Sequence, residues 1–443
     1  NIILISQASS ERSICFAVAP EMANTARSAV EAAFARELIS NEAVLTCQEQ
    51  PCSIIAIVGS SMRNTPGISG RLFQALGKNG INVVAIAQGS SELNISVAVA
   101  HADETKALRA LHDCFFLSDR KTINIFLVGA GKVGKTLLDQ IQAQHKSLSD
   151  RLLDIKLVGL ATSKKMLIQS SGISFNSWQK DLDAKGESTN VASFISQIHG
   201  LNLPNSIFID CTASDAVAGH YADILRSSIS VVTPNKRANS GSYAAYQEFK
   251  NLAVRANVKF FYETTVGAGL PIIGTLNDLL ASGDEIISIE AVLSGTLSFI
   301  FNSFDPSTKF SAIIRRAKEN GYTEPDPRDD LSGVDVARKL LILAREIGLS
   351  LELKDIAVEN LVPEKCRTAK SVDDFFALLE KEDAHFEKLR IDAESSGKVL
   401  RYIGKIAAGR ASVALAAVDR DHPFISLSGS DNIISFTTRR YNE

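Results

Sequence analysis

The spacing of apolar residues changes character twice along the chain. Over residues 1–118, short alternating runs interchange with helical stretches at about Glu21–Leu38, Ile68–Lys78 and Ala102–Cys114. Two of the runs repeat. Asn1–Ala19 reads NIILISQASSERSICFAVA and Asn82–Ala100 reads NVVAIAQGSSELNISVAVA, with ten of nineteen positions identical at an offset of 81, so the region is an internal duplication. Each copy predicts strand, polar Gln-Ala/Gly-Ser-Ser-Glu turn, alternating strand and helix. A strand over Ser53–Gly59 and the helix Ile68–Lys78, stopped by Asn79-Gly80, precede the second copy. The second copy is therefore expected to be a complete βαββαβ unit, and the first only the latter half of one.

From 119 to 258 the apolar runs are continuous rather than alternating. Lys121–Val128, Ile155–Leu160, Ile207–Cys211 and Ile229–Val232 read as strands of an open α/β sheet. The first runs into Gly129-Ala-Gly131-Lys132-Val133-Gly134 and a helix through Ile141, the strand–loop–helix context that makes a glycine pattern meaningful. Glycines there allow a tight turn and a close approach of backbone to a pyrophosphate, which would sit at the helix N-terminus. The second strand ends in Ala161-Thr-Ser-Lys164-Lys165. It offers no acid for a ribose hydroxyl and two lysines instead, which favours the 2′-phosphate of NADP over NAD. Thr212 follows the third strand and Thr233-Pro-Asn-Lys236 the fourth. Lys236 points either into the ligand crevice or into solvent. Trp178, in a polar insertion, reads as packing.

From 259 onward the pattern is mixed. Glu263-Thr-Thr-Val266-Gly-Ala268-Gly-Leu270-Pro271 excludes regular structure and exposes carbonyl oxygens beside a carboxylate, as a cation site or a plain hinge would. Ser294-Gly295-Thr296 is a second small-residue turn. The densest chemistry lies in GYTEPDPRDDLSGVDVARKLLILAR, Gly321–Arg345, with Glu324, Asp326, Asp329, Asp330, Asp335, Arg338 and Lys339 close together. Pro325 and Pro327 exclude regular helix over Tyr322–Leu331. A helix is expected to start from Ser332 as N-cap, with Asp335 at capping-box spacing and Asp335 and Lys339 on one face. That pair alone reads as a surface ion pair. Behind an acidic, proline-stiffened loop, it reads as a site for a cationic, hydroxylated small molecule. Ser371–Glu394 is expected to be charged helix on the outside, and Val399–Ile406, Ser412–Val418 and Ile433–Thr438 to be alternating strands.

Composition narrows the classes. With 443 residues and 45% hydrophobic residues, the chain can build about three cores. A net charge of −3 gives no attraction to nucleic acid or to an anionic membrane, and no apolar run approaches a membrane span. Six cysteines without a CxxC suit free thiols in a reducing compartment. The chain enters at Asn1 directly into IILI, so it is expected to be a fragment that begins inside a domain.

Two resemblances follow from these stretches. The duplicated Q(A/G)SSE turns resemble those of ACT domains, which implies that Gln7 and Gln88 contact a small regulatory amino acid; capping of strand ends is the plainer alternative. TPNKRAN, ETTVGAGLP, LSGTLSFIFN and GYTEPDPRDDLSGVDVARK resemble homoserine dehydrogenases in their bifunctional arrangement with aspartokinase. The implied fold is α/β. A Rossmann-type NADP-binding domain spans 119–258 and an α+β catalytic and dimerisation domain spans 259–443, preceded by ACT-type units over 1–118. The implied activity is reversible NADP-dependent reduction of aspartate 4-semialdehyde to homoserine, under threonine control. Lys339 would be the acid/base and Lys236 would lie between nicotinamide and substrate. Glu324, Asp335, Asp330, Thr296 and Gly295 would hold the substrate. Thr212 and the lysines 164 and 165 would join the glycine loop at the cofactor, and Glu263, Val266, Ala268 and Leu270 would ligate sodium. The kinase half and a C-terminal Gly-rich segment are expected to be missing. A homodimer or homotetramer is implied, in a bacterial cytoplasm or, for a plant protein, the plastid stroma. The alternative is an amino-acid sensor whose dehydrogenase half is inactive.

Overall fold

The computed structural model describes residues 2–7, 14–46, 51–116 and 121–442. The chain divides into two compact units. Asn1–Cys211, Ala222–Val232 and Leu252–Phe260 form the first; Thr212–Tyr221, Thr233–Asn251 and Phe261–Glu443 form the second. Thr233–Asn251, with Lys236, thus leaves the unit of the strand that precedes it.

Within the first unit, strands Cys52–Val58, Asn94–Ala100 and Val83–Gln88 pair antiparallel in that order. Alternation turns Ile55, Ile57, Val97 and Val99 to one face. There they share a core with Leu72 and Leu76 of helix Ile68–Lys78 and with Ala107 and Leu111 of helix Glu104–Phe115. Gly80, at φ +70°, ends the first helix by letting the Ile81 amide reach back to the Leu76 carbonyl at 3.1 Å. The unit is βαββα rather than the expected βαββαβ. The next strand, Lys121–Val128, pairs with Ser206–Asp210 and Leu153–Ala161 instead, because an apolar run of that kind needs cover on both faces. In the first copy Ile2–Gln7 pairs with Ile14–Val18, and the single helix expected over Glu21–Leu38 is broken at Phe34 into Ala23–Ala33 and Ala35–Ile39. Most of its Gln-Ala-Ser-Ser-Glu turn lies outside the described residues.

The nucleotide sheet has the order Phe260–Phe261, Ser230–Val232, Ser206–Asp210, Lys121–Val128, Leu153–Ala161, Lys165–Ile173, Glu187–Ser188. Its Ser230, Ser206, Lys121 and Leu153 strands are mutually parallel; Lys165–Ile173 runs antiparallel to Leu153–Ala161, and Glu187–Ser188 antiparallel to Lys165–Ile173. Lys121–Val128 lies between the strand that follows it and a much later one, so the order reverses there and opens a crevice at the carboxyl ends. Trp178 is 6% exposed and packs in this core, as expected.

The second unit is built on a mixed sheet ordered Ala357–Val358, Arg410–Asp419, Lys398–Ala407, Ile286–Val292, Ile433–Thr438. Helix Val334–Glu346 lies on it, burying Val336, Ala337, Leu340, Leu341, Leu343 and Ala344, at about 1.5–3 kcal/mol for each large side chain. Three local expectations need correction. Pro327 does not bar helix; it is the first residue of a short helix, Pro327–Leu331, where no amide donor is required, and Asp326 caps it through the Arg328 amide. Ser332 is not the N-cap of the next helix; Gly333, at φ +73°, takes that position. Ser371–Glu394 is not an outer helix but the helices Val372–Leu379 and Asp383–Ser395, which bury Phe375, Phe376, Leu379 and Phe386.

Candidate active site

Helix Val334–Glu346 carries Asp335 in its first turn and Lys339 one turn on. The Lys339 ammonium donates to Asp335 Oδ2 at 2.9 Å and to the Leu293 carbonyl at 2.6 Å. Lys236, at the start of the four-residue helix Lys236–Asn239, reaches Asp335 Oδ1, also at 2.9 Å. One carboxylate thus bridges two ammonium groups, one 99 positions before it and one four positions after it. The Asp335 side chain is 49% exposed, and its partial burial by itself would raise its pKa. Lys339 and Lys236 outweigh that and hold it at about 2.

The acidic loop closes the other side. Thr296 Oγ1 lies 2.5 Å from the Tyr322 carbonyl and 2.9 Å from Asp330 Oδ1. The Glu324 amide donates to Asp330 Oδ2 at 2.8 Å, leaving the Glu324 carboxylate exposed. Burial raises the Asp330 carboxyl; the Glu324 and Asp335 charges push the same way, against the Glu324 amide and the Thr296 hydroxyl. Arg328 fixes the loop by pairing with Asp326 and donating to the Ala369 carbonyl at 2.7 Å. Gly295 opens helix Gly295–Asn302, and a β-carbon there would stand 3.1 Å from the Ser430 carbonyl. The second unit therefore brings Lys236, Lys339, Asp335, Asp330, Glu324, Thr296 and Gly295 together. The Thr212 hydroxyl accepts from the Ser214 amide, and the Ser214 carbonyl accepts from Asn235, the residue before Lys236.

In the first unit the glycine loop makes a tight turn into helix Lys132–Ala143. Gly129 has φ +94°. A β-carbon on Gly134 would stand 2.2 Å from the Gly129 carbonyl, whereas one on Gly131 would meet open space. Lys132 and Val133 are exposed in the first turn of helix Lys132–Ala143, whose amides suit an anion. Lys164 is exposed, while Lys165 donates to the Asp183 carbonyl at 2.6 Å.

Glu263 is more committed than its sequence suggests. Its carboxylate accepts from the amides of Ile272 (2.5 Å), Ile273 (2.7 Å) and Gly274 (2.8 Å), capping helix Ile273–Ala281. Three of about four lone-pair positions are used, and the Leu270 carbonyl, one of the expected sodium ligands, accepts from the Ile272 amide at 3.0 Å. Ala268, at φ +53°, shows the turn is tight. Among the described residues no group of three or more His, Cys, Asp or Glu is placed to hold a metal ion, so any cation here would rest on carbonyl oxygens. Gln88 ends its strand on the wall of a cavity of about 420 Å³ lined also by Met62, Asn64, Ser69, Glu92 and Ile95. Ser69 donates to it at 3.3 Å. Gln7 ends strand Ile2–Gln7.

Comparison with known proteins places these features. The homoserine dehydrogenase family profile matches residues 271–443, its NAD binding domain matches residues 129–263, and an ACT domain profile matches residues 55–115. The chain is 47% identical over 447 residues to an Arabidopsis thaliana protein named bifunctional aspartokinase/homoserine dehydrogenase 2, chloroplastic, covering all of this chain and 49% of that protein. It spans about half the length of the bifunctional relatives. A Schizosaccharomyces pombe homoserine dehydrogenase is 39% identical over 336 residues, which is 73% of this chain and 89% of that protein. The chain belongs to the homoserine dehydrogenase family. A solved Candida auris structure described as of unknown function has the same fold, with a TM-score of 0.66 at 34% identity over 72% of this chain and 90% of that one.

In this homoserine dehydrogenase family member, the motifs contain the side chains of the cluster but not their backbone partners. The Leu293 carbonyl, which holds Lys339, carries no signal in sequence because any residue offers it. Asn64 and Glu92, which line the cavity at Gln88, were missed as well. Glu92 accepts from the Asn64 amide at 2.8 Å and stands at φ +57°, a conformation no residue type announces unless it is glycine or asparagine. Among the described residues no helix is long and apolar enough to cross a membrane.

Proposed function

We propose that the chain catalyses the reversible, NADP-dependent reduction of aspartate 4-semialdehyde to homoserine. One observation carries this: the carboxylate of Asp335 bridges Lys236 and Lys339 opposite the Glu324–Asp330 loop. An ammonium has three protons. Lys339 spends one on Asp335 and one on the Leu293 carbonyl, and the third is aimed by the other two at the substrate's carbonyl oxygen. Nicotinamide, when bound, supplies or accepts the hydride. Lys339 protonates the alkoxide oxygen as it forms and recovers the proton in the reverse direction. Lys236 adds positive charge at the same oxygen. Glu324 and Asp330 take the substrate's ammonium, and Thr296 and Gly295 line the pocket beside them. A role restricted to sensing is not favoured, because it would leave this assembled cluster without use.

Cofactor phosphates are assigned to Gly129, Gly131, Lys132, Val133 and Gly134; the family resemblance adds Thr212 and Lys236 as cofactor contacts. Lys164 supports NADP over NAD, being an exposed cation after a strand end that lacks an acid; Lys165 would have to leave the Asp183 carbonyl to join it. Gly134→Ala should raise the NADP dissociation constant at least ~10-fold, or about 1.4 kcal/mol, because the methyl would displace the Gly129 carbonyl. Fluorescence titration of NADPH reads this, and an unchanged affinity would remove the loop from the cofactor site. Sodium is assigned to the carbonyls of Val266, Ala268 and Leu270 and the remaining lone pair of Glu263. Threonine is assigned to the cavity at Gln88, with Gln7 as its counterpart in the first copy. Exposed Ile54, Val58, Val84 and Ile86 leave the uncovered face of the Cys52 sheet apolar, which suits pairing of copies into a homodimer or homotetramer. Cys15, Cys114, Cys211 and Cys366 are free thiols, in keeping with a reducing compartment, cytoplasmic or plastid.

The decisive experiment is the initial rate of homoserine oxidation with NADP and with NAD, with and without threonine. Turnover is expected with NADP in preference to NAD, and threonine is expected to lower it. No turnover with either cofactor would end the reading.

A further inference from the structure

Helix Val334–Glu346 presents more than Asp335 and Lys339 to the Thr233–Asn251 segment. Arg338 donates to Ser240 Oγ at 2.9 Å, and the Ser240 hydroxyl donates to the Lys236 carbonyl at 2.8 Å. Arg345 donates through Nη1 to the Asn239 carbonyl at 2.7 Å and through Nη2 to the Gly241 carbonyl at 2.8 Å. Glu346 accepts from Tyr246 at 2.8 Å and pairs with Lys250 at 3.3 Å. Asp335, Arg338, Arg345 and Glu346 therefore grip successive points of one strip of chain that begins at Lys236.

We infer that Arg345 is a positioning residue for Lys236: its buried guanidinium fixes the end of helix Lys236–Asn239 and thereby where the Lys236 ammonium meets Asp335. This rests on the proposed role of Lys236. A helix of four residues cannot hold itself, so its place is set by what holds its ends. The start is held by Asn235, whose side chain caps the Arg237 amide and donates to the Ser214 carbonyl. At the far end the Asn239 side chain contributes nothing, since both of its amide atoms are buried without a hydrogen-bond partner among the described residues. Beside the Ser240 hydroxyl that Arg338 holds, main-chain carbonyls are left there, and Arg345 takes two of them. Its side chain is 0% exposed, and its remaining donors go to the Leu351 carbonyl and to Glu352 at 3.1 Å. A planar fork can span two carbonyls in this way and a lysine cannot.

The test is Arg345→Lys, which keeps the charge and loses the fork. Amide hydrogen exchange over 236–241 should accelerate while exchange over the glycine loop 129–134 stays as in the wild type. The kcat for homoserine oxidation should fall by about 10- to 100-fold, as for a misplaced group in an active site, with a smaller change in KM, unchanged NADPH affinity and an altered pH–rate profile. Unchanged exchange at 236–241 overturns the inference whatever the activity. So does a kcat loss that only tracks the folded fraction, with the wild-type pH profile. Should the variant fold poorly, Ser240→Ala should raise exchange over the same residues to a lesser degree, and no change there overturns the inference too. If the wild type fails to oxidise homoserine, the functional reading falls, and hydrogen exchange still decides whether Arg345 sets the Lys236 segment.

Discussion

Lys339→Ala should lower kcat for homoserine oxidation by at least ~100-fold, the scale of a lost general acid, while leaving NADPH affinity at its wild-type value. The loss should exceed a simple proton-transfer deficit. Lys339 is also one of two cations that hold Asp335 ionised, and removing it leaves that carboxylate with Lys236 alone. A small exogenous amine should restore part of the rate, since the cavity left by the side chain opens beside the Leu293 carbonyl. Near-normal turnover would show that another group moves the proton. The pH behaviour of the cluster has a defined sign. Asp335 is depressed below the ordinary carboxylate value of about 3.9, so the interactions of its charged form are fully present above that value and disappear only as pH falls toward about 2. It therefore adds no acid limb to the rate profile near neutrality. Asp330, shifted upward mainly by burial, is the carboxyl in the site that takes up a proton earlier on acidification.

Sequence reading reached the chemistry more readily than the geometry that aims it. Strand boundaries in the late sheet were legible because alternation is strong there: Lys398–Ala407, Arg410–Asp419 and Ile433–Thr438 overlap the alternating runs. The helix Ile68–Lys78 was legible to the residue, since an apolar stripe ends at Asn79-Gly80. Phe375, Phe376 and Phe386 were misjudged because charged neighbours dominate their window, and a helix needs only a stripe of large side chains to be drawn into a core. At the site, Asp335 and Lys339 could be paired by their spacing alone. Nothing local joins Lys236 to them, nor Arg345 to Asn239. Those contacts exist because Thr233–Asn251 packs with the second unit rather than with the sheet that feeds it, a tertiary choice that periodicity does not encode. The cap at Gly333 was misread for a related reason. Ser332 has the better side chain, but the turn between two helices needs a left-handed residue.

That turn supports the second large prediction. Gly333 follows helix Pro327–Leu331 and precedes helix Val334–Glu346, at φ +73°. A methyl there would stand 2.0 Å from the Tyr402 hydroxyl and 3.0 Å from Val358 Cγ1. Tyr402 cannot yield easily, since it is 3% exposed and its hydroxyl donates to the Glu359 carbonyl at 2.6 Å. Gly333→Ala should therefore lose roughly 1–2 kcal/mol to the left-handed backbone and about 1–3 kcal/mol to overpacking, seen as a lower melting temperature. Because Asp335 is two residues on, the shift that relieves the clash moves the carboxylate that both lysines share, so kcat should fall by more than ~10-fold. Gly348→Ala separates the two causes. Gly348 has φ +89° but nothing within 4 Å of its β-carbon position, so that variant should show the backbone strain alone and keep its activity. Adding Tyr402→Phe to Gly333→Ala removes the nearest clashing atom and should recover part of both stability and rate. If Gly333→Ala melts and turns over like Gly348→Ala, the packing of Tyr402 against the helix start does not govern the site.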